Sequence, residues 1–156
     1  MQLYLLRHAE ASDRAPTDAA RELTALGSEQ AQTVGTFCKR HGLKFNLVLT
    51  SPFRRTMQTA HVVAAALGLT AQPAGFLASG MDPENALMEL GAFQQFASVM
   101  LVGHQPDLGQ LAATLLGLRN DAALSVGKAS LIGLEVERLT FGGAHLRFSL
   151  PVNLMG

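Results

Sequence analysis

The chain has 156 residues, 48% of them apolar and 15% charged, with 12 basic and 12 acidic side chains and no net charge. That length suits one domain spanning 1–156 with a true core, because a chain of this size buries roughly two-thirds of its unfolded surface. The composition excludes a disordered segment, and the charge balance argues against a nucleic-acid binder, which carries a basic excess. Of the basic residues nine are Arg and three Lys, a bias that suits forked capture of phosphate or carboxylate. The single cysteine, Cys38, rules out an intrachain disulfide and reads as a small core residue.

Gln2–Leu6 is a short apolar run, read as a buried strand. It is too short for a signal peptide or a membrane span, and no other run approaches that length, so the expected compartment is the cytoplasm. Residues 7–23 are polar and read as a loop. Thr24 caps a helix that runs to about Arg40 and stops at Gly42, with Lys39 and Arg40 complementing the dipole. Phe45–Thr50 is the second strand, and Ser51-Pro52 opens a helix that runs to Leu67. Gln72–Phe76 is a weak strand broken by Pro73. Asp82-Pro83-Glu84 starts a helix reaching about Phe96: a capping Asp, a Pro in the first turn and an acid at the positive end. Ser98–Val102 is an apolar strand, followed by a helix from about Pro106 to Leu116. Ser130–Glu137 and His145–Leu150 form a hairpin across Gly142-Gly143.

Strands alternating with helices and then a hairpin predict an α/β fold. The expected form is a three-layer αβα sandwich, its central sheet mostly parallel with an antiparallel edge strand. In such sheets ligands bind beyond the carboxyl ends of the strands. Three strands end in polar turns there: Arg7-His8-Ala9-Glu10, Ser51-Pro52-Phe53-Arg54-Arg55 and Gly103-His104-Gln105-Pro106. The parallel arrangement brings His8, His104, Arg7 and Arg55 toward one spot. Phosphoryl transfer needs a nucleophile in line and positive groups around the equatorial oxygens. Arg7 and Arg55 fit that task, and their charge is expected to lower the pKa of His8 and leave it neutral and nucleophilic. His104 is placed to stabilise the transferring group or manage a proton. The amino end of the helix after Ser51-Pro52 adds an anion-favouring dipole.

These motifs resemble those of the histidine phosphatase superfamily, which includes the phosphoglycerate mutases. Arg7-His8 after the first strand, Ser51-Pro52-Phe53-Arg54-Arg55-Thr56-Met57-Gln58-Thr59-Ala60 and Gly103-His104-Gln105-Pro106 are similar to its three motifs. Leu23-Thr24-Ala25-Leu26-Gly27, with Gln30-Ala31, resembles its first helix entry. The short length, Arg21, and the hairpin near Lys128-Ala129-Ser130 resemble the SixA-type phosphohistidine phosphatase branch. The resemblance implies a phosphoglycerate mutase-like fold and transient phosphorylation of His8. It implies a pocket completed by Arg7, Arg55 and His104, and neither cofactor nor metal. The partner it implies is a phosphorylated protein, a histidine-phosphotransfer domain or a phosphocarrier.

Ala9 stands where mutase-like members have Gly. Mutases and sugar phosphatases also carry an acidic general acid. Asp82, Glu84 and Glu89 are the candidates, and Asp82 and Glu84 are already explained by the helix start. A missing acid favours a phosphoramidate, because an imidazole with an ordinary pKa of about 6.5 departs with less help than an alkoxide. A small-molecule phosphomonoesterase or mutase of the same fold is the alternative. A non-catalytic phosphate-binding module is disfavoured, since binding needs arginines but no nucleophile. Arg21 is expected to bind the incoming phosphate or else to be a surface charge. Arg54 is expected to face solvent or the substrate surface. Glu10 with His104 lacks the further ligands of a metal site. His41 reads as helix-end charge, His61 as surface, and His145 has no evident partner.

Overall fold

The computed structural model describes residues 1–121 and 124–156. Among the described residues six strands form one sheet: β1 (Gln2–Arg7), β2 (Leu47–Thr50), β3 (Ala71–Pro73), β4 (Ser98–Gly103), β5 (Leu131–Val136) and β6 (Ala144–Leu150). Their spatial order is β3-β2-β4-β1-β5-β6. β3, β2, β4 and β1 are parallel; β5 runs against β1, and β6 against β5. The strand that opposes the parallel set is therefore one in from the edge, and the antiparallel hairpin closes that end of the sheet.

Alternation along the strands fills two cores, since successive side chains point to opposite faces. Leu3, Leu5, Leu49, Val99, Leu101 and Ile132 pack with α3 (Pro83–Leu90) and α4 (Asp107–Leu115). Tyr4, Leu6, Val48, Met100, Val102 and Leu131 pack with α1 (Ala25–Arg40) and α2 (Arg54–Ala66). The result is the three-layer arrangement, with β1 and β4 buried on both faces. Cys38 lies in the second core, where burial pushes its thiol up to about 12 and keeps it unreactive.

The helix signals act as read. The Thr24 side chain accepts from the Gly27 N–H at 3.0 Å. Asp82 accepts from the Asn85 N–H at 2.8 Å. Gly42, at φ 65°, ends α1 in the left-handed conformation that glycine adopts without penalty. The largest differences lie at three bounds. The third strand covers Ala71–Pro73, because Pro73 has no N–H to extend the ladder and a 3-10 turn follows at Gly75–Leu77. α3 stops at Leu90, where Gly91 opens a 3-10 turn to Phe93. α2 begins at Arg54 rather than at Ser51-Pro52. Among the described residues no helix is long and apolar enough to cross a membrane.

Register fixes where the site lies. Leu6 pairs with Val102, and Val102 with Thr50, so three parallel strands end level. The chain leaves each one at the same sheet edge. His8 N–H still donates to Gly103 O at 3.0 Å, and Ser51 N–H to Val102 O at 2.9 Å. The antiparallel side contributes too: Arg7 N–H donates to Ser130 O and Ala129 N–H to His8 O, both at 3.2 Å.

Candidate active site

His8 follows β1 directly and is 6% exposed. Its Nδ1 lies 2.7 Å from its neighbour Ala9's carbonyl oxygen, an acceptor, so Nδ1 carries the proton. Nε2 is then the nitrogen with a lone pair available for attack. The turn is held from α2 and α1. Ala9 N–H donates to Thr59 Oγ1 at 3.1 Å, and Glu10 N–H to Gln30 Oε1 at 2.9 Å. The methyl of Ala9 is fully buried in the second core.

The His8 and His104 rings stand 5.6 Å apart at 60°. His104, at the end of β4, is 3% exposed. Its Nδ1 lies 3.2 Å from Arg55 Nη2, and its Nε2 lies 2.7 Å from Ser51 Oγ. Arg55, in the first turn of α2, is 4% exposed. Its Nη1 donates to Asp18 O at 2.8 Å, and its Nη2 contacts Asp18 Oδ2 at 3.2 Å. Phe53 walls the pair: the Arg55 guanidinium sits 5.2 Å from its ring centroid, and the His104 ring 5.0 Å. Arg7 donates from Nη1 to Val126 O at 2.9 Å.

Electrostatics keeps both imidazoles neutral. His8 is lowered to about 3, first by burial, then by the charge of Arg55, against an opposing hydrogen bond to Ala9. His104 is lowered to about 4, again first by burial and then by Arg55. Desolvation is thus the main cause, where the sequence pointed to the arginines; their charges add to it. Arg7 is itself lowered by burial and by Arg55, two cations held close in a poorly hydrated place. Among the described residues, the buried Nε atoms of Arg7 and Arg55 have no hydrogen-bond partner. Two guanidiniums crowded beside His8 concentrate positive charge there, which suits an anion.

The sequence-derived set thus lies together: His8, His104, Arg7 and Arg55 meet at one edge of the sheet. Arg21 stands on the loop beside it, with Nε on Ser12 O at 2.9 Å, Nη2 on Asp13 at 2.9 Å and Nη1 on Asp18 at 3.1 Å. Arg54 pairs with Glu22 at 2.6 Å. Glu10 accepts from Thr24 Oγ1 at 3.0 Å, at the entry of α1. His41 ends α1 against Phe37, and His145 pairs with Glu137 at 3.3 Å. Asp82 caps α3, Glu84 lies in that helix's first turn, and Glu89 lines a separate cavity with Leu49 and Phe93. The residues not anticipated are Asp18, Ser51, Phe53 and Val126. Ser51 and Phe53 lie inside a motif at a strand end, which is a usable signal. Asp18 is one acid in a polar loop, and nothing local marks it.

Comparison with known proteins agrees with this geometry. Residues 3–77 match the histidine phosphatase superfamily (branch 1). The phosphohistidine phosphatase SixA homolog of Haemophilus influenzae is 34% identical, over 77% of this chain and 80% of that protein. The adenosylcobalamin/alpha-ribazole phosphatase of Escherichia coli is 28% identical, over 78% of this chain and 82% of its own. The structure of the protein histidine phosphatase SixA complexed with tungstate superposes with a TM-score of 0.90 at 24% identity, covering 100% of both chains. With its motif histidines and arginines drawn to one sheet edge, and with these relatives, the chain belongs to the histidine phosphatase superfamily.

Proposed function

We propose that the protein hydrolyses phosphohistidine on another protein, a phosphotransfer domain or phosphocarrier in the cytoplasm, through a phospho-His8 intermediate and without a metal. The observation that carries this reading is the state of His8. It is buried and neutral, its Nδ1–H is tied to Ala9, which leaves Nε2 the lone pair, and the charges of Arg55 and Arg7 act on it.

In the first step His8 Nε2 attacks phosphorus. The new N–P bond forms as the substrate's N–P bond breaks, and the substrate ring, already protonated on its other nitrogen, leaves as neutral imidazole. Arg7 and Arg55 bind the equatorial oxygens and neutralise the charge spread over them. Water then attacks phospho-His8, releasing phosphate and the neutral ring. His104 completes the pocket through its contact with Arg55. Arg21 belongs to the same proposal as a substrate-binding residue. If Asp13 or Asp18 releases it, its guanidinium is positioned on the loop to meet incoming phosphate.

The leaving group favours an imidazole. Asp18 is a carboxylate in contact with Arg55, and its hydrogen bonds to Arg21 and the charge of Arg55 hold it below the usual carboxylate range. It is therefore a standing anion at neutral pH and gives no proton to a departing alkoxide. Asp82 is engaged as a helix cap. The second reading, a small-molecule phosphomonoesterase, rests on the alpha-ribazole phosphatase relative.

The test compares a phosphorylated carrier protein with small phosphate esters, with a chelator present throughout. The expected outcome is preference for the carrier and loss of at least about a thousandfold in rate for His8→Ala, the scale of losing a nucleophile. An acid-labile phosphoenzyme should be trapped in wild type and not in the variant. Equal turnover by His8→Ala ends the proposal, and a preference for esters selects the second reading.

A further inference from the structure

Ser51 enters none of the steps above, yet its side chain is fully buried and touches His104. Its Oγ lies 2.7 Å from His104 Nε2 and also accepts from the Phe53 N–H at 3.3 Å. On the opposite side of the ring, His104 Nδ1 lies 3.2 Å from Arg55 Nη2. A guanidinium has donors only and does not lose its protons in proteins. The Arg55 contact is therefore a hydrogen bond only if Nδ1 presents a lone pair. The neutral ring then carries its single proton on Nε2, and Ser51 Oγ is the atom placed to accept it.

We propose that Ser51 is a positioning residue: it holds His104 as the Nε2–H tautomer, so that Nδ1 stays an acceptor and keeps the Arg55 guanidinium aimed into the phosphate pocket. The proposal deepens the functional reading above, on which it rests for the statement that the pocket takes phosphate. In the other tautomer, Nδ1–H and the guanidinium N–H point at each other, and a buried donor without a partner is costly. The ring has little room to escape this by turning. Phe53 packs against it at a ring angle of 67°, and His8 at 60°. Solvent offers no substitute acceptor, because Ser51 is 0% exposed and His104 is 3% exposed. The chain of contacts runs Ser51, His104, Arg55, phosphate. A serine hydroxyl that never meets substrate thereby sets the orientation of the arginine that does.

Two measurements on the whole protein test this. Long-range nitrogen–proton NMR correlations of the His104 ring report which nitrogen bears the proton, without turnover. Calorimetry with inorganic phosphate reports pocket affinity. Wild type is expected to show protonated Nε2 and bare Nδ1. Ser51→Ala should give mixed tautomer signals and bind phosphate on the order of 10-fold more weakly. Ser51→Thr, which keeps the hydroxyl, should restore both. A serine that merely supports the start of α2 would leave the ring signals unmoved. Three results overturn the proposal: a proton on Nδ1 in wild type, unchanged ring signals in Ser51→Ala, or unchanged phosphate affinity in Ser51→Ala. Should Ser51→Ala fail to fold, the wild-type spectrum and Ser51→Thr still decide it. If wild type binds no phosphate, the functional reading fails, while the tautomer measurement remains readable.

Discussion

Asp18 places a carboxylate against the arginine meant for phosphate. Its Oδ2 lies 3.2 Å from Arg55 Nη2, and its side chain is half exposed. A fixed negative charge at that point repels an arriving phosphate while its backbone carbonyl helps hold Arg55 in place. Asp18→Asn removes the charge and leaves that carbonyl contact. Inorganic phosphate is expected to inhibit this variant about two- to fivefold more strongly, the range of a solvent-screened charge interaction. The gap should narrow at high salt, where such interactions are screened. Inhibition constants at low and high ionic strength check this, and weaker inhibition of the variant would make Asp18 a support for Arg55 above all. Ala129 is another residue whose backbone serves the site. Its φ of 54° is unusual for a side chain with a Cβ, and its N–H meets the carbonyl of His8.

At the scale of elements, the nucleophile turn is fixed by how closely α1 approaches it. A Cβ on Gly27 would lie 2.0 Å from the carbonyl oxygen of Glu10, which no backbone tolerates without moving. That same carbonyl accepts from the Thr24 N–H at 3.1 Å, at the cap of the helix. Gly27 is therefore the residue that lets α1 begin against the turn carrying His8. Gly27→Ala is expected to destabilise by about 2 kcal/mol or more, the range of overpacking in a tight site. The activity loss should exceed what the unfolded fraction explains, because the helix must shift away from residues 9 and 10. Denaturant midpoints measured beside specific activity test both statements.

For the whole molecule, the two buried imidazoles make stability depend on acidity. Both are held neutral when folded, at about 3 and about 4, whereas an unfolded histidine titrates near 6.5. Between pH 6.5 and about 4 the unfolded chain binds protons that the native one refuses. Stability from these groups is complete above pH 6.5 and falls as pH drops through that window, at up to about 1.4 kcal/mol per pH unit for each histidine. His8→Asn should flatten about half of that slope between pH 6 and 5, read from denaturation midpoints. An unchanged slope would mean that His8 titrates normally. How much of this was legible in the sequence follows from distance along the chain. The strand ends and caps are local, so Arg7, His8, Arg55, His104, Thr24 and Asp82 stand out from their neighbours alone. Asp18 on Arg55, Ser51 on His104 and Val126 on Arg7 join segments 37, 53 and 119 residues apart, and only the level strand register brings them together. The dominance of burial over charge in tuning His8 was hidden for the same reason, since depth is a property of the assembled sheet.

β1 precedes the other five strands in the chain, yet its hydrogen-bonding neighbours are β4, which begins at Ser98, and β5, which begins at Leu131. As the ribosome delivers the chain, the segment bearing the nucleophile must wait, unpaired on both sides, until residues 98–103 and then 131–136 have emerged. The site is consequently completed late in chain order: Arg7 and His8 find their backbone partners at 129 and 130, after every other strand but β5 and β6 has been made.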